Sequence, residues 1–375
     1  MAEIHGICPD RFGPVREALG ASLDADDVGA SVAVHVDGEP VVDLWGGYAD
    51  AARTVPWERD TITNTWSTTK TMTALCALIL ADRGDLDLDA PVARYWPEFA
   101  AAGKHDVRVR HLMSHTAGLP TWDEPMTVED LYDWDLATGR LAAQAPRWAP
   151  GTAAGDHAIT QGFLVGEVIA RVTGGSPGAF FAAEVARPLG ADFHIGTPAE
   201  HDHRIAPIIP PPEPEPEPEP EPADGAADSP RRAPGNPPVP AATANTTAWR
   251  RAEIPAAGGH GNARSAGAVQ AVLACGGTVG GVRLLSPAGC ERALDEQYRG
   301  RDQILGTEMR YGMGYGLNTG WLPSPRTCFW GGWGGSLVLV DLDERVTVSY
   351  VMNRMLNADS RALGIVIAAY EGISA

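Results

Sequence analysis

Basic charge is scarce in this chain: 29 Lys and Arg stand against 48 Asp and Glu over 375 residues, a formal net charge of −19. A surface that binds phosphate backbones or an anionic bilayer needs a basic excess, so neither nucleic acid nor a membrane is expected as a partner. No apolar run reaches the length of a membrane-spanning helix. Residues 1–6 offer neither the basic n-region nor the apolar h-region of a secretory leader. Cysteine is sparse and odd in number: the five, Cys8, Cys76, Cys275, Cys290 and Cys328, form no C-x-x-C pair. Zinc and dithiol chemistry are therefore not expected, and a reducing, cytoplasmic setting is the simplest fit. The glycine-rich stretch 258–265 does not end in Gly-Lys-Ser/Thr, which argues against a phosphate loop. Nothing calls for a cofactor.

What remains is an ordinary globular composition, 44% hydrophobic and 21% charged, long enough for one large or two moderate domains. Trp66-Ser67-Thr68-Thr69-Lys70 opens an apolar helical run through Met72, Leu75, Cys76, Leu78, Ile79 and Leu80 that stops at Gly84. A serine and a lysine three residues apart share one helical face, a hydroxyl beside an amine. By itself Ser67 is equally a helix N-cap, although S-x-x-K is also a signature of acyl-transfer enzymes.

Ahead of this run, residues 11–19 predict a helix. Residues 31–36 and 41–45, joined by Asp37-Gly38, predict a hairpin, because Asp-Gly supplies the positive φ angles that tight hairpins need. Residues 85–200 are helical and loop-rich. His111 and His115 stand four apart at a helix and its exit, but no acidic or cysteine partner stands at ligand spacing, so they read as hydrogen-bonding residues and no metal site is expected. Gly174-Gly175-Ser176-Pro177-Gly178 fits G-x-S-x-G, yet the run before it has helical spacing where that motif needs a strand. Gly174 is expected to cap one helix and Ser176 to start the next. Residues 207–240 form a low-complexity insert, Pro and Glu alternating from Pro212 to Pro222, expected to be extended or disordered. Beyond it come a helix at 266–274, strands at 337–340 and 346–351, and a helix at 361–370.

Sheet segments at both ends with helices between them predict an α+β fold. Residues 1–84 and 300–375 would form a sheet lobe carrying the Ser67 helix, and 85–299 an inserted, mostly helical lobe.

Five stretches together resemble the serine β-lactamase and penicillin-binding-protein superfamily, in particular its class C β-lactamase-like branch and the family VIII esterases. They are Trp66 to Lys70, His111 to Leu119, Pro150-Gly151-Thr152, Gly261 to Ser265, and Trp330-Gly331-Gly332. The resemblance implies an antiparallel sheet flanked by helices and acyl transfer through a seryl ester, with Ser67 as nucleophile and Lys70 as base or relay. The oxyanion hole would be the backbone N–H groups of Ser67 and Trp333. Trp333-Gly334-Gly335 repeats the glycine pattern, and the first copy is preferred for its distance from the next strand. Trp330, Gly331, Gly332, His157, Trp148 and Trp122 would line the substrate cleft.

One departure stands out. Relatives place a tyrosine a few residues after the Pro-Gly, and here that residue is Asp156. A carboxylate facing Lys70 is expected to hold the ammonium charged. Either Asp156 takes over the base role, or His157 does, or conventional hydrolysis is impaired. The expected function is a serine esterase or amidase acting on a small ester or amide. The alternatives are an acyltransferase or specialised biosynthetic enzyme using the same site, or a catalytically silent ligand-binding relative. Oligomeric state is not legible.

Overall fold

A computed structural model describes residues 3–212, 235–357 and 359–375. The Pro/Glu alternation from Glu213 to Pro222 lies outside the described residues.

The frame is a nine-stranded antiparallel sheet: β1 (Ile4–Ile7), β2 (Gly29–Val36), β3 (Glu39–Gly47), β4 (Tyr298–Arg301), β5 (Glu308–Tyr311), β6 (Gly316–Leu317), β7 (Thr327–Gly331), β8 (Leu337–Asp341) and β9 (Val346–Met352). Its order is β1-β3-β2-β9-β8-β7-β6-β5-β4. The two chain ends therefore meet at the middle, where β2 pairs with β9 from Ala30↔Met352 to Val36↔Val346. The hairpin β2–β3 turns at Asp37 and Gly38, whose φ angles of 52° and 85° are the pair a tight hairpin needs.

Side chains alternate along these strands. One face presents mostly small or polar residues, Ser31, Ala33 and His35 from β2 with Thr347 and Ser349 from β9, beside the apolar Val351. Helix α5 (Ala263–Ala274) lies against it so closely that a Cβ at Gly267 would sit 2.7 Å from His35 Nδ1. The other face, with Val32, Val34, Val348 and Tyr350 all buried, takes α1 (Gly13–Ala25) and the C-terminal α6 (Arg361–Ser374). Helix α5 begins at Ala263, ahead of the expected 266, because Asn262 caps it: its side chain accepts from Ser265 N. Helix α5 falls inside the stretch expected to form the helical lobe, and strand β4 straddles its end, yet both belong to the sheet layer.

Helix α2 (Thr69–Arg83) is buried from Thr69 to Ala81 and ends on Gly84 at φ 82°. It packs on α4 (Thr160–Thr173), which also meets the short α3 (Val109–Met113), and it touches α5 and β7. Gly174 caps α4 at φ 73°, and the Ser176 side chain accepts from Ala179 N as the next helix starts. The G-x-S-x-G string is thus two helix ends and carries no nucleophile. Among the described residues, no helix is long and apolar enough to cross a membrane.

Candidate active site

Ser67 is delivered by a short ladder in which Thr63 pairs with Gly261 and Asn64 with His260. Thr65 N donates to Gly259 O at 2.8 Å, and Trp66 N to Asn64 Oδ1 at 3.1 Å. Trp66 then adopts φ 47°, a conformation a bulky residue holds only where its surroundings impose it. Its ring lies between those of Trp249 and Trp333, at centroid distances of 5.6 and 5.0 Å. That kink feeds a 3-10 turn over Trp66–Thr68 and then α2.

Lys70, one turn on, is completely buried. Its Nζ lies 2.9 Å from Ser67 Oγ, 2.7 Å from Ala158 O and 3.5 Å from Ala256 O. Those three oxygens can accept the three N–H groups of an ammonium, and once the amine is neutral its two N–H groups can stay on the carbonyls while its lone pair faces the serine O–H. Burial pushes the Lys70 amine down to about 8, against the Asp156 carboxylate, which pulls the other way. The expected holding of Lys70 as a cation is thus the smaller of two opposed effects.

Asp156 sits on a pinned segment. Gln303 N donates to Ala154 O at 2.8 Å and Gly155 N to His115 O at 3.1 Å, while His157 N donates to His115 Nδ1 at 2.9 Å. Asp156 Oδ1 is 3.7 Å from that same Nδ1. A nitrogen that already accepts the His157 N–H carries no proton, so His115 is neutral. Burial, with His157 and Lys70 nearby, holds it well below the ordinary histidine value. Lys70, across the site, is a cation whose charge Asp156 stabilises.

His157 does not face the cleft. Buried, it donates from Nδ1 to Gly155 O at 2.6 Å and accepts Leu119 N at Nε2 at 3.0 Å. With both nitrogens committed to backbone and its pKa pushed down by burial to about 4, it is placed as a strut between two loops, neither a base nor a substrate contact. Trp122 is likewise core: buried, with Nε1 donating to Ala137 O at 2.9 Å and its ring edge-on to Phe163. Trp148 is half-buried, edge-on to His157, and closes over Gly155, where a Cβ would lie 2.8 Å from its ring.

Trp330, on β7, stacks flat on His115 at 4.9 Å, with Lys70 Nζ 5.8 Å from its ring centre, so it forms the wall behind the amine. The first Trp-Gly-Gly copy runs off the end of this strand and the second makes the turn into β8. Gly332 N donates to Ser336 O at 2.7 Å and Gly335 N to Gly332 O at 3.1 Å. Ser336 Oγ donates to Thr65 O at 2.8 Å and lies 3.0 Å from Thr68 Oγ1. A Cβ at Gly332 would come within 2.3 Å of Thr65 O. The turn is pressed against the segment that carries Ser67, and Trp333, 43% exposed, packs its ring on Trp66.

No tyrosine hydroxyl among the described residues is bonded to Ser67 or Lys70. Tyr311 donates to Asp302 Oδ2 at 2.7 Å, Tyr315 to Gln270 Oε1 at 2.9 Å, and Tyr95 accepts Asp87 N at 2.8 Å. Burial, with Asp156 and Asp302 close by, raises the Tyr311 hydroxyl far above the usual range. Asp302, to which the sequence assigned no role, and His115, expected only as a hydrogen-bonding residue, are structural partners of the site. The only available signal was His115's place in the His111–Leu119 stretch. His111 and His115 part company, since His111 Nδ1 accepts Arg108 N at 3.2 Å. No group of His, Cys, Asp and Glu among the described residues is placed to hold a metal. A cavity of about 920 Å³ elsewhere includes none of Ser67, Lys70 or Asp156, and its Arg204 and Arg264 are paired with Asp192 and Asp60.

Residues 18–371 match the family model described as Beta-lactamase. A crystal structure of a family VIII carboxylesterase superposes with a TM-score of 0.91 at 43% identity, covering 99% of this chain and all of the other. A penicillin-binding-protein homologue from Caulobacter crescentus gives 0.89 at 39% identity, over 99% and 100% of the two chains. The esterase/beta-lactamase LipL of Mycobacterium tuberculosis is 35% identical over 370 residues, 94% of this chain and 84% of that one. On a half-buried serine bonded to a buried lysine, a sheet joined from both termini and these similarities, the chain belongs to the β-lactamase family and is a hydrolase of the serine class.

Proposed function

We propose that the protein is an esterase that hydrolyses small carboxylic esters through an acyl-Ser67 intermediate. The observation that carries this reading is the 2.9 Å contact between Ser67 Oγ and an amine that burial lowers to about 8. At pH 7 such an amine is neutral in about one molecule in ten, enough to serve as a general base. Ser67 Oγ attacks the ester carbonyl while its proton passes to Lys70. The carbonyl oxygen takes the negative charge, held by Ser67 N–H and Trp333 N–H. As the tetrahedral species collapses, the leaving alkoxide takes the proton back from Lys70. Water then attacks the acyl-serine, giving its proton to the same amine, and Ser67 leaves with that proton.

Asp156 acts through Lys70. Its carboxylate stabilises the ammonium that forms at each proton transfer, which is where a tyrosine-free site needs help. Chemically competent neighbours are few: His157 and His115 have their acceptor nitrogens occupied by backbone N–H groups. The exposed Trp333 ring supports a second reading, transfer of the acyl group to an apolar alcohol in place of water. The free cysteines support a cytoplasmic setting.

The test is hydrolysis of p-nitrophenyl acetate and butyrate with intact-protein mass spectrometry, wild type against Ser67→Ala. Turnover and an acyl adduct on wild type alone are expected. Equal rates and no adduct on either protein would overturn the reading, and product partitioning that shifts with added alcohol would favour transfer.

A further inference from the structure

We infer that Arg361, on the C-terminal helix, is a positioning residue for the oxyanion hole: it fixes the direction of the Trp333 N–H through two successive peptide planes. This rests on the esterase reading above. Arg361 is almost completely buried, its side chain 5% exposed, far in sequence from Ser67. Its Nη2 donates to Gly334 O at 2.8 Å, which also accepts Leu356 N at 3.2 Å.

The Gly334 carbonyl belongs to the same planar unit as the Gly335 N–H, and in a trans peptide the two point in opposite directions. Holding the carbonyl against Arg361 therefore aims the Gly335 N–H back into the turn, where it donates to Gly332 O at 3.1 Å. Gly332 O in turn shares a plane with the Trp333 N–H. With that carbonyl drawn inward, the Trp333 N–H is directed out of the turn, on the side where Gly332 abuts Thr65 and the Trp333 ring meets Trp66. Glycines make this geometry accessible, since Gly334 and Gly335 have φ 89° and 131°. Such a turn needs an external clamp to stay in one state.

Arg361 is itself clamped. Nη1 reaches Asp27 Oδ1 at 2.5 Å and Nη2 reaches Asp359 Oδ2 at 2.5 Å. Asp27 Oδ2 accepts Tyr350 O–H at 2.6 Å and Ser22 O–H at 2.5 Å. The network also has a purely structural role, since a buried arginine between two carboxylates ties α6 to the sheet. The two roles differ in what they do to the transition state.

The experiment compares hydrolysis of an ester with its thiono counterpart, in which sulfur replaces the carbonyl oxygen and accepts hydrogen bonds poorly. In Arg361→Met the oxygen ester should slow about 10- to 100-fold in kcat, less than outright loss of an oxyanion donor. KM should stay within about threefold, and the thionoester should slow far less, so that the wild-type preference for oxygen collapses. Tyr350→Phe, which loosens the same network without touching Gly334, should lower the melting temperature and keep the preference. An unchanged oxygen-to-sulfur ratio in Arg361→Met overturns the proposal whatever its kcat, as does an equal collapse in Tyr350→Phe. Should Arg361→Met fail to fold, Arg361→Lys keeps the charge opposite Asp27 but cannot span to Gly334, and the same collapse is expected. A wild type that hydrolyses neither ester and forms no adduct overturns the esterase reading, and this inference with it.

Discussion

The two walls of the site are built in different ways. The Ser67–Lys70 wall is local: hydroxyl and amine lie three residues apart, and the helix behind them is buried nearly all round. The Asp156 wall is assembled from distance, with Ala154 held by Gln303 and both Gly155 and His157 held by His115. A local wall can change only with its helix. An assembled wall can exchange a side chain without disturbing the backbone that presents it, so a carboxylate can stand where the resemblance implies a phenol while the chain still superposes at a TM-score of 0.91.

Removing Ser67 tests the local wall most severely. Ser67→Ala should lower kcat for p-nitrophenyl esters by more than about 10³-fold and abolish the acyl adduct seen by mass spectrometry. Lys70→Met should cost about 10²- to 10⁴-fold, the range of a lost general base. It should also remove the pH dependence that Lys70 imposes. Lys70 is active as the neutral amine and its value lies near 8, so wild-type kcat/KM should rise about tenfold per unit below pH 8 and level above it. A flat profile from pH 6 to 8 would show that the amine is not the base.

The assembled wall should respond more mildly. Asp156 raises the Lys70 value, so Asp156→Asn should move the limb of the pH–rate profile to lower pH, with a loss of about tenfold at the plateau. An upward shift would contradict the geometry. Asp156→Tyr sharpens the comparison: hydrolysis above wild type would mean the carboxylate limits the reaction, against the supporting role proposed for it. The smallest contrast lies between two glycines. At Gly332 a Cβ would meet the Thr65 carbonyl at 2.3 Å, whereas at Gly155 it would meet the ends of Trp148 and Ile304 at 2.8 and 2.9 Å. Side chains yield more easily than backbone, so Gly332→Ala should lower kcat by about tenfold or more and Gly155→Ala by only a few-fold. Steady-state kinetics alongside thermal melts would separate these from loss of fold.

Much of the fold was legible because its signals are local. Asp37-Gly38 marked its hairpin, Gly84 ended α2, and the Gly174–Ser176 pair announced two helix ends. Burial of particular aromatic and histidine side chains was not legible, since His157 and Trp122 look the same in sequence whether they face a cleft or a loop carbonyl. Helix α5 was assigned by position to the helical lobe, and only the close approach of Gly267 to β2 and β9 shows that it belongs to the sheet.

The sequence by itself determined where the proposed nucleophile stands beside its amine, because a serine and a lysine one helical turn apart need only the helix to meet. It also determined the α+β class, through strands at both ends with helices between. Tertiary structure decided the rest: that burial outweighs Asp156 in setting the Lys70 amine, that His157 is a strut, and that Arg361 reaches the turn bearing Trp333. Each of these depends on which atoms from distant segments come within about 3 Å of one another, and the dielectric and hydrogen bonding that follow do not exist until the chain has closed around them.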